Sequence, residues 1–103
     1  MQVRARLDDK ILYMELSGEI DQHNAARTRQ AVDQYADHYC ANAEKAVFDL
    51  QNVSFMDSTG IGFLIGRYKK FTRYGIPVYI ANPSTATNRI LQMSGIYTLI
   101  PKL

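Results

Sequence analysis

The chemically suggestive residues of this 103-residue chain gather at one junction, Met56-Asp57-Ser58-Thr59-Gly60-Ile61-Gly62. A carboxylate and two hydroxyls stand where an apolar run gives way to a helix-like pattern. A serine at such a turn suggests a nucleophile elbow. That motif, G-x-S-x-G, needs a glycine two residues before the serine, and Met56 occupies the position. A serine nucleophile also needs a base, and neither His23 nor His38 follows Ser58 in the chain. The phosphate loop G-x-x-x-x-G-K-[ST] is absent. His23 and His38 have no partner at metal-ligand spacing. The sequence therefore predicts a protein that is not an enzyme, with no catalytic residue, no metal and no cofactor.

A helix cap is the plainest role for these residues. Asp57 or Ser58 would accept a hydrogen bond from an orphan backbone N–H of the first turn. Two features point further. Gly60, Gly62 and Gly66 fall in the following helix, where each glycine costs about 1 kcal/mol against alanine. Gly62 and Gly66 share a side and would let another backbone approach. At about 100° per residue, Phe63, Arg67, Lys70 and Tyr74 fall opposite an apolar stripe of Ile61, Leu64, Ile65, Tyr68 and Phe71. This phasing predicts an exposed Phe63 beside Arg67, an aromatic anchor for a protein partner. The predicted docking face therefore comprises Asp57, Ser58, Thr59 and Gly60, continuing through Gly62, Phe63, Gly66 and Arg67. A phosphate on Ser58 would add about −1.5 to −2 charges. The helix N-terminus tolerates an anion, whereas a packed partner would not.

The elements that carry this junction follow from periodicity. Val3 to Leu7 alternates apolar and polar, Asp8-Asp9-Lys10 is a turn, and Ile11 to Leu16 is a second strand ended by Gly18. Together they predict an N-terminal hairpin. Asp21 or Asn24 caps a helix running to about Cys40. Its inner face is Ala25, Thr28, Val32, Tyr35, Ala36 and Tyr39, and its solvated face includes Arg27, Arg29, Asp33 and Asp37. Ala46 to Leu50 reads as a buried strand of a parallel sheet, and Ser58 to Tyr74 as a helix closed by Gly75 and Pro77. Val78 to Ala81 is the next strand. Asn82-Pro83 then starts a last helix with Ala86, Ile90 and Met93 inward. Gly95 closes it, and Ile96 to Ile100 is a short strand or packed turn. Alternation of strands and helices predicts an α/β fold, a single mixed sheet of a hairpin plus parallel strands, flanked by helices. Sites in such sheets favour the loops after the carboxyl ends of strands, where the junction lies.

Length predicts one domain over 1–103. Net charge is +2 from 12 basic and 10 acidic residues, too mild for a nucleic-acid footprint. No apolar run approaches the roughly 18 residues of a membrane span, and no signal peptide opens the chain. A cytoplasmic protein without membrane or nucleic-acid partners is expected. One cysteine, Cys40, forms no internal disulfide.

Ser17-Gly18-Glu19-Ile20-Asp21, Phe48-Asp49-Leu50 with Val53, and Phe55-Met56-Asp57-Ser58-Thr59-Gly60-Ile61-Gly62 resemble the STAS domains of bacterial anti-sigma factor antagonists. Gly66-Arg67-Tyr68-Lys69 and Met93-Ser94-Gly95 continue the resemblance over nearly the whole chain, and G-R-Y-K favours the sporulation branch. The resemblance implies the STAS fold and a partner switch. The unmodified antagonist binds an anti-sigma factor that is also a serine kinase, and so frees the sigma factor. The kinase, using ATP and Mg²⁺, phosphorylates the serine matching Ser58 and expels the antagonist. A serine phosphatase resets the switch. Asp21 matches an acidic position near that serine. The alternative within the family is a scaffold of a stress-signalling complex or an accessory subunit of a transporter.

Overall fold

The computed structural model describes all 103 residues. Strands β1 (Gln2–Asp8) and β2 (Ile11–Ile20) are followed by helix α1 (Ala25–Tyr39), β3 (Lys45–Met56) and α2 (Ser58–Arg73). Then come β4 (Val78–Ala81), α3 (Thr85–Ser94) and a 3-10 turn, Ile96–Thr98. The four strands lie in the order β1-β2-β3-β4. The β1–β2 pairing is antiparallel, and β2–β3 and β3–β4 are parallel. This is the mixed sheet expected from the alternation of elements.

The hairpin turn is Asp9-Lys10, both at positive φ, the geometry that matches strand twist in a two-residue connection. Two strands run further than periodicity indicated. Gly18 does not end β2. It sits inside the strand at φ 96°, next to a shift in register against β3 between Gly18 and Glu19. A bulge of this kind needs glycine's freedom and lets pairing resume, so β2 reaches Ile20 opposite Met56. That pairing carries β3 six residues past Leu50, to Met56.

One face of the sheet is covered. Leu12, Met14 and Leu16 of β2, Ala46, Phe48 and Leu50 of β3, and Ile80 of β4 join one core with Val32, Leu64, Phe71 and Leu91 of the helices. Phe48 sits at its centre, edge-on to Phe63 and Phe71 at 6.4 and 6.3 Å between ring centroids. The other face carries the cross-strand row Arg6, Tyr13, Val47 and Tyr79, with the Arg6 guanidinium 4.2 Å over the Tyr13 ring.

The inner face of α1 is as expected, with Thr28, Val32 and Ala36 buried. Three other expectations are corrected. In α2 the buried residues are Gly60, Phe63, Leu64, Arg67 and Phe71, so the helix is turned relative to the stripe centred on Ile61, Leu64 and Ile65. Asp33 and Asp37 face α2, where they pair with Arg67 and Lys70. In α3 the cap is Ser84, whose hydroxyl accepts from the Thr87 N–H. Asn82 instead adopts a left-handed turn at φ 56°. The later start turns Thr87 and Leu91 inward and leaves Met93 82% exposed. The last segment is the packed turn, which ends in a single bridge between Ile80 and Lys102.

Candidate functional site

The junction forms at the carboxyl ends of β2 and β3. Pairing of Ile20 with Met56 places Asp21 and Asp57 as the next residues of two adjacent strands. Asp57 is the N-cap of α2, and its carboxylate accepts the Thr59 N–H at 2.8 Å. Asp21 performs the equivalent task in front of α1. Its Oδ1 accepts the N–H groups of His23 at 2.9 Å and Asn24 at 3.1 Å. Asn24 answers with its own side chain, accepting the Asp21 N–H and donating to the Glu19 carbonyl at 2.8 Å. Both carboxylates are thus tied to backbone, which fixes the loop beside Ser58.

Ser58 is the first residue of α2 and is exposed. Its hydroxyl makes no hydrogen bond within the protein, because Asp57 does the capping. Thr59 is half-buried. The second hydroxyl therefore points into a more crowded setting than the first.

The three glycines of α2 divide by environment. Gly60 is buried, and a Cβ there would stand 2.4 Å from Met56 Cγ and 3.5 Å from Ile20 Cβ. It is glycine so that α2 can lie against the ends of β2 and β3. This corrects its assignment to the docking face. Gly62 and Gly66 have nothing within 4 Å of an added Cβ. The fold itself makes no use of their missing side chains.

Phe63 is also corrected. It is 6% exposed and packs against Phe48, so it is core and not an outward anchor. Arg67 is 9% exposed and pairs with Asp33 at 2.8 Å. Burial pulls the Arg67 pKa down, with Asp33 opposing and Arg29 adding to the fall. The exposed apolar side chain of the region is Phe55, 48% accessible, three residues before Ser58. No signal in the sequence gave its exposure: strict alternation puts Phe55 on the side of buried Val53, and the register shift between Gly18 and Glu19, opposite Val53 and Phe55, breaks that alternation.

No group of three or more His, Cys, Asp or Glu is placed to hold a metal. No helix is long and apolar enough to cross a membrane. The helix that Ser58 opens carries no histidine; His23 precedes α1 and His38 lies in it.

The STAS domain family model matches residues 2–103. The chain belongs to the STAS domain family. A curated relative from Paenibacillus polymyxa, an anti-sigma F factor antagonist, is 31% identical over 98% of this chain and 85% of its own length. An anti-sigma-B factor antagonist of Staphylococcus aureus is 23% identical over 97% of this chain and 90% of its own. Among solved structures, unphosphorylated SpoIIAA, an anti-sigma factor antagonist, superposes with a TM-score of 0.76 at 20% identity, over 99% of this chain and 88% of that one. A putative anti-sigma factor antagonist from Thermotoga maritima gives 0.83 at 17% identity, over 97% and 84%. At those identities the two structures show the STAS fold and nothing finer. In this STAS domain Ser58 is an exposed hydroxyl with no hydrogen bond inside the protein, directly after the Asp57 cap.

Proposed function

We propose that this STAS domain is an anti-sigma factor antagonist switched by phosphorylation of Ser58. The unphosphorylated form binds an anti-sigma factor that is also a serine kinase, and thereby releases a sigma factor. The observation that carries the reading is the placement of Ser58. It is exposed at the N-terminus of α2, makes no internal hydrogen bond, and has Asp57 filling the cap position in its stead.

The docking face is the rim around Ser58, with Asp21, Asp57 and Thr59 flanking it, Gly62 and Gly66 opening a path along α2, and Phe55 supplying apolar area. Phe55 takes the part first assigned to Phe63. Arg67 contributes through its charge and not as an exposed anchor. The kinase transfers the γ-phosphoryl group of ATP, with Mg²⁺, to the Ser58 hydroxyl. A phosphate there carries about −1.5 to −2 charges beside Asp57. The domain tolerates it, because the helix N-terminus favours an anion, but a partner packed on the rim loses contact and desolvates charge. A serine phosphatase restores the binding form. The 31% relative named for sigma F supports a role in sporulation over one in general stress. The cytoplasm is the compartment for such a switch.

The test is to incubate the protein with its candidate kinase and ATP and to map phosphate by mass spectrometry. Phosphate on Ser58 in the wild type and none in Ser58→Ala is expected, with Ser58→Asp failing to bind the kinase. Unchanged labelling of Ser58→Ala would falsify the assignment.

A further inference from the structure

Between α1 and α2 runs a groove of about 420 Å³, lined by Gln22, Ala26 and Arg29 on one side and by Gly62, Gly66 and Arg67 on the other, with Phe63 below. Its size falls in the roughly 300–1,000 Å³ range of small-molecule sites. Four observations mark it as a site. First, Gly62 and Gly66 hold the groove open although nothing lies within 4 Å of an added Cβ. Neither has the positive φ that would require glycine. Second, two guanidinium groups line the groove and only one of them is paired. Arg67 pairs with Asp33, while Arg29 makes none of the ion pairs and lowers the Arg67 pKa. Third, Arg67 is nine-tenths buried, and its Nε–H lies 2.8 Å from Asp33 Oδ1 but is angled away from donating a good hydrogen bond to it. Fourth, the apolar part of the groove is flat. The Arg67 guanidinium lies 5.6 Å over the Phe63 ring, next to two bare stretches of helix backbone.

We infer that this groove binds a small planar monoanion, an aromatic carboxylate in chemical class. The carboxylate meets Arg29 and Arg67, which supply the one positive charge left after Asp33. The ring lies on the backbone of Gly62 and Gly66 beside Phe63. The inference does not rest on the partner-switch reading, since it concerns the free domain.

The probe is benzoate at pH 7, titrated into the isotopically labelled protein and followed by amide chemical shifts. Saturable shifts confined to Gln22–Arg29 and Thr59–Arg67 are expected, with a Kd on the order of 1 mM for so small a ligand. Arg29→Gln should weaken binding roughly three- to five-fold. Gly66→Leu and, on the opposite wall, Ala26→Leu should abolish it while keeping a dispersed spectrum. No saturation, equal shifts with neutral benzamide, the same shifts with inorganic phosphate alone, or full binding by both blocked variants would overturn the inference. None of these outcomes depends on Ser58 or a kinase.

Discussion

The Arg67 Nε lies 2.8 Å from Oδ1 of Asp33 across the contact between α2 and α1. Beside it, Lys70 Nζ stands 3.1 Å from Asp37 Oδ1, which also accepts the Tyr74 hydroxyl. Two acidic residues of α1, one turn apart, meet two basic residues of α2. This ladder sets which side of α2 faces α1. With Arg67 inward, its neighbours Phe63 and Phe71 point to Phe48.

Removing one member of the inner pair leaves a buried charge alone. Asp33→Ala is expected to destabilise by about 1–3 kcal/mol, since the Asp33 side chain is partly exposed. Asp33→Ala combined with Arg67→Met should recover most of the loss, because a well-packed apolar pair often replaces a buried ion pair without cost. Urea unfolding of the two variants and the wild type reads both numbers. Additive losses would show that the pair does not couple.

The outer pair makes stability depend on acid. The Tyr74 hydroxyl, followed by Lys70, holds Asp37 below its ordinary carboxylate pKa. A depressed folded pKa means the contribution is complete above the unfolded value of 3.8 and is lost as pH falls through the folded one. At the alkaline end the same contacts raise Lys70 and Tyr74. Their contribution is present below the unfolded values and fades as pH rises through the folded ones. Thermal melts of Asp37→Asn should therefore show a flatter loss of stability below about pH 4 than the wild type. Parallel curves at acid pH would contradict this.

Phe63 is expected to behave as core, against the exposure that helical phasing assigns to it, and Phe55 as surface. Phe63→Ala should cost about 3–5 kcal/mol, the range for a buried aromatic. Phe55→Ala should stay within about 0.5 kcal/mol of wild type and weaken binding to the anti-sigma factor. Calorimetric binding and chemical denaturation on both variants separate the two roles. A fully stable Phe63→Ala would put the ring back on the surface.

The glycines give an ordered series. Gly62→Ala and Gly66→Ala are each expected to stabilise by about 1 kcal/mol through helix propensity. In a domain of this size that raises Tm by roughly 4–8 °C. Gly60→Ala should do the opposite, because the new methyl meets Met56, and overpacking costs about 1–3 kcal/mol. A stabilised Gly60→Ala would show that Met56 moves aside freely.

The cap is worth a separate measurement. Asp57→Ala removes the bond to the Thr59 N–H and should cost about 1 kcal/mol. Ser58→Ala should cost nearly nothing, since its hydroxyl is unused in the fold. Equal losses in the two would mean that Ser58 shares the cap and is less free for modification.

Much of this protein is written locally. The hairpin turn, the order of strands and helices, and the exposed serine at the start of α2 follow from alternation, breakers and cap chemistry, all set within a few residues. The ends of β2 and β3 do not, because Gly18 reads as a stop until Ile20 is paired with Met56. The inward face of α2 is also decided elsewhere. Ile61, Phe63, Leu64, Ile65, Tyr68 and Phe71 spread apolar groups around most of the helix, so periodicity leaves its centre free to rotate. Only the approach of α1, with Asp33 and Asp37 on the facing side, draws Arg67 and Phe63 inward. The sequence by itself therefore determined the exposed hydroxyl at the start of α2 and the fold that presents it. The tertiary structure alone decided which aromatic is surface and which is core, because that depends on the neighbour a helix packs against and not on the helix's own pattern.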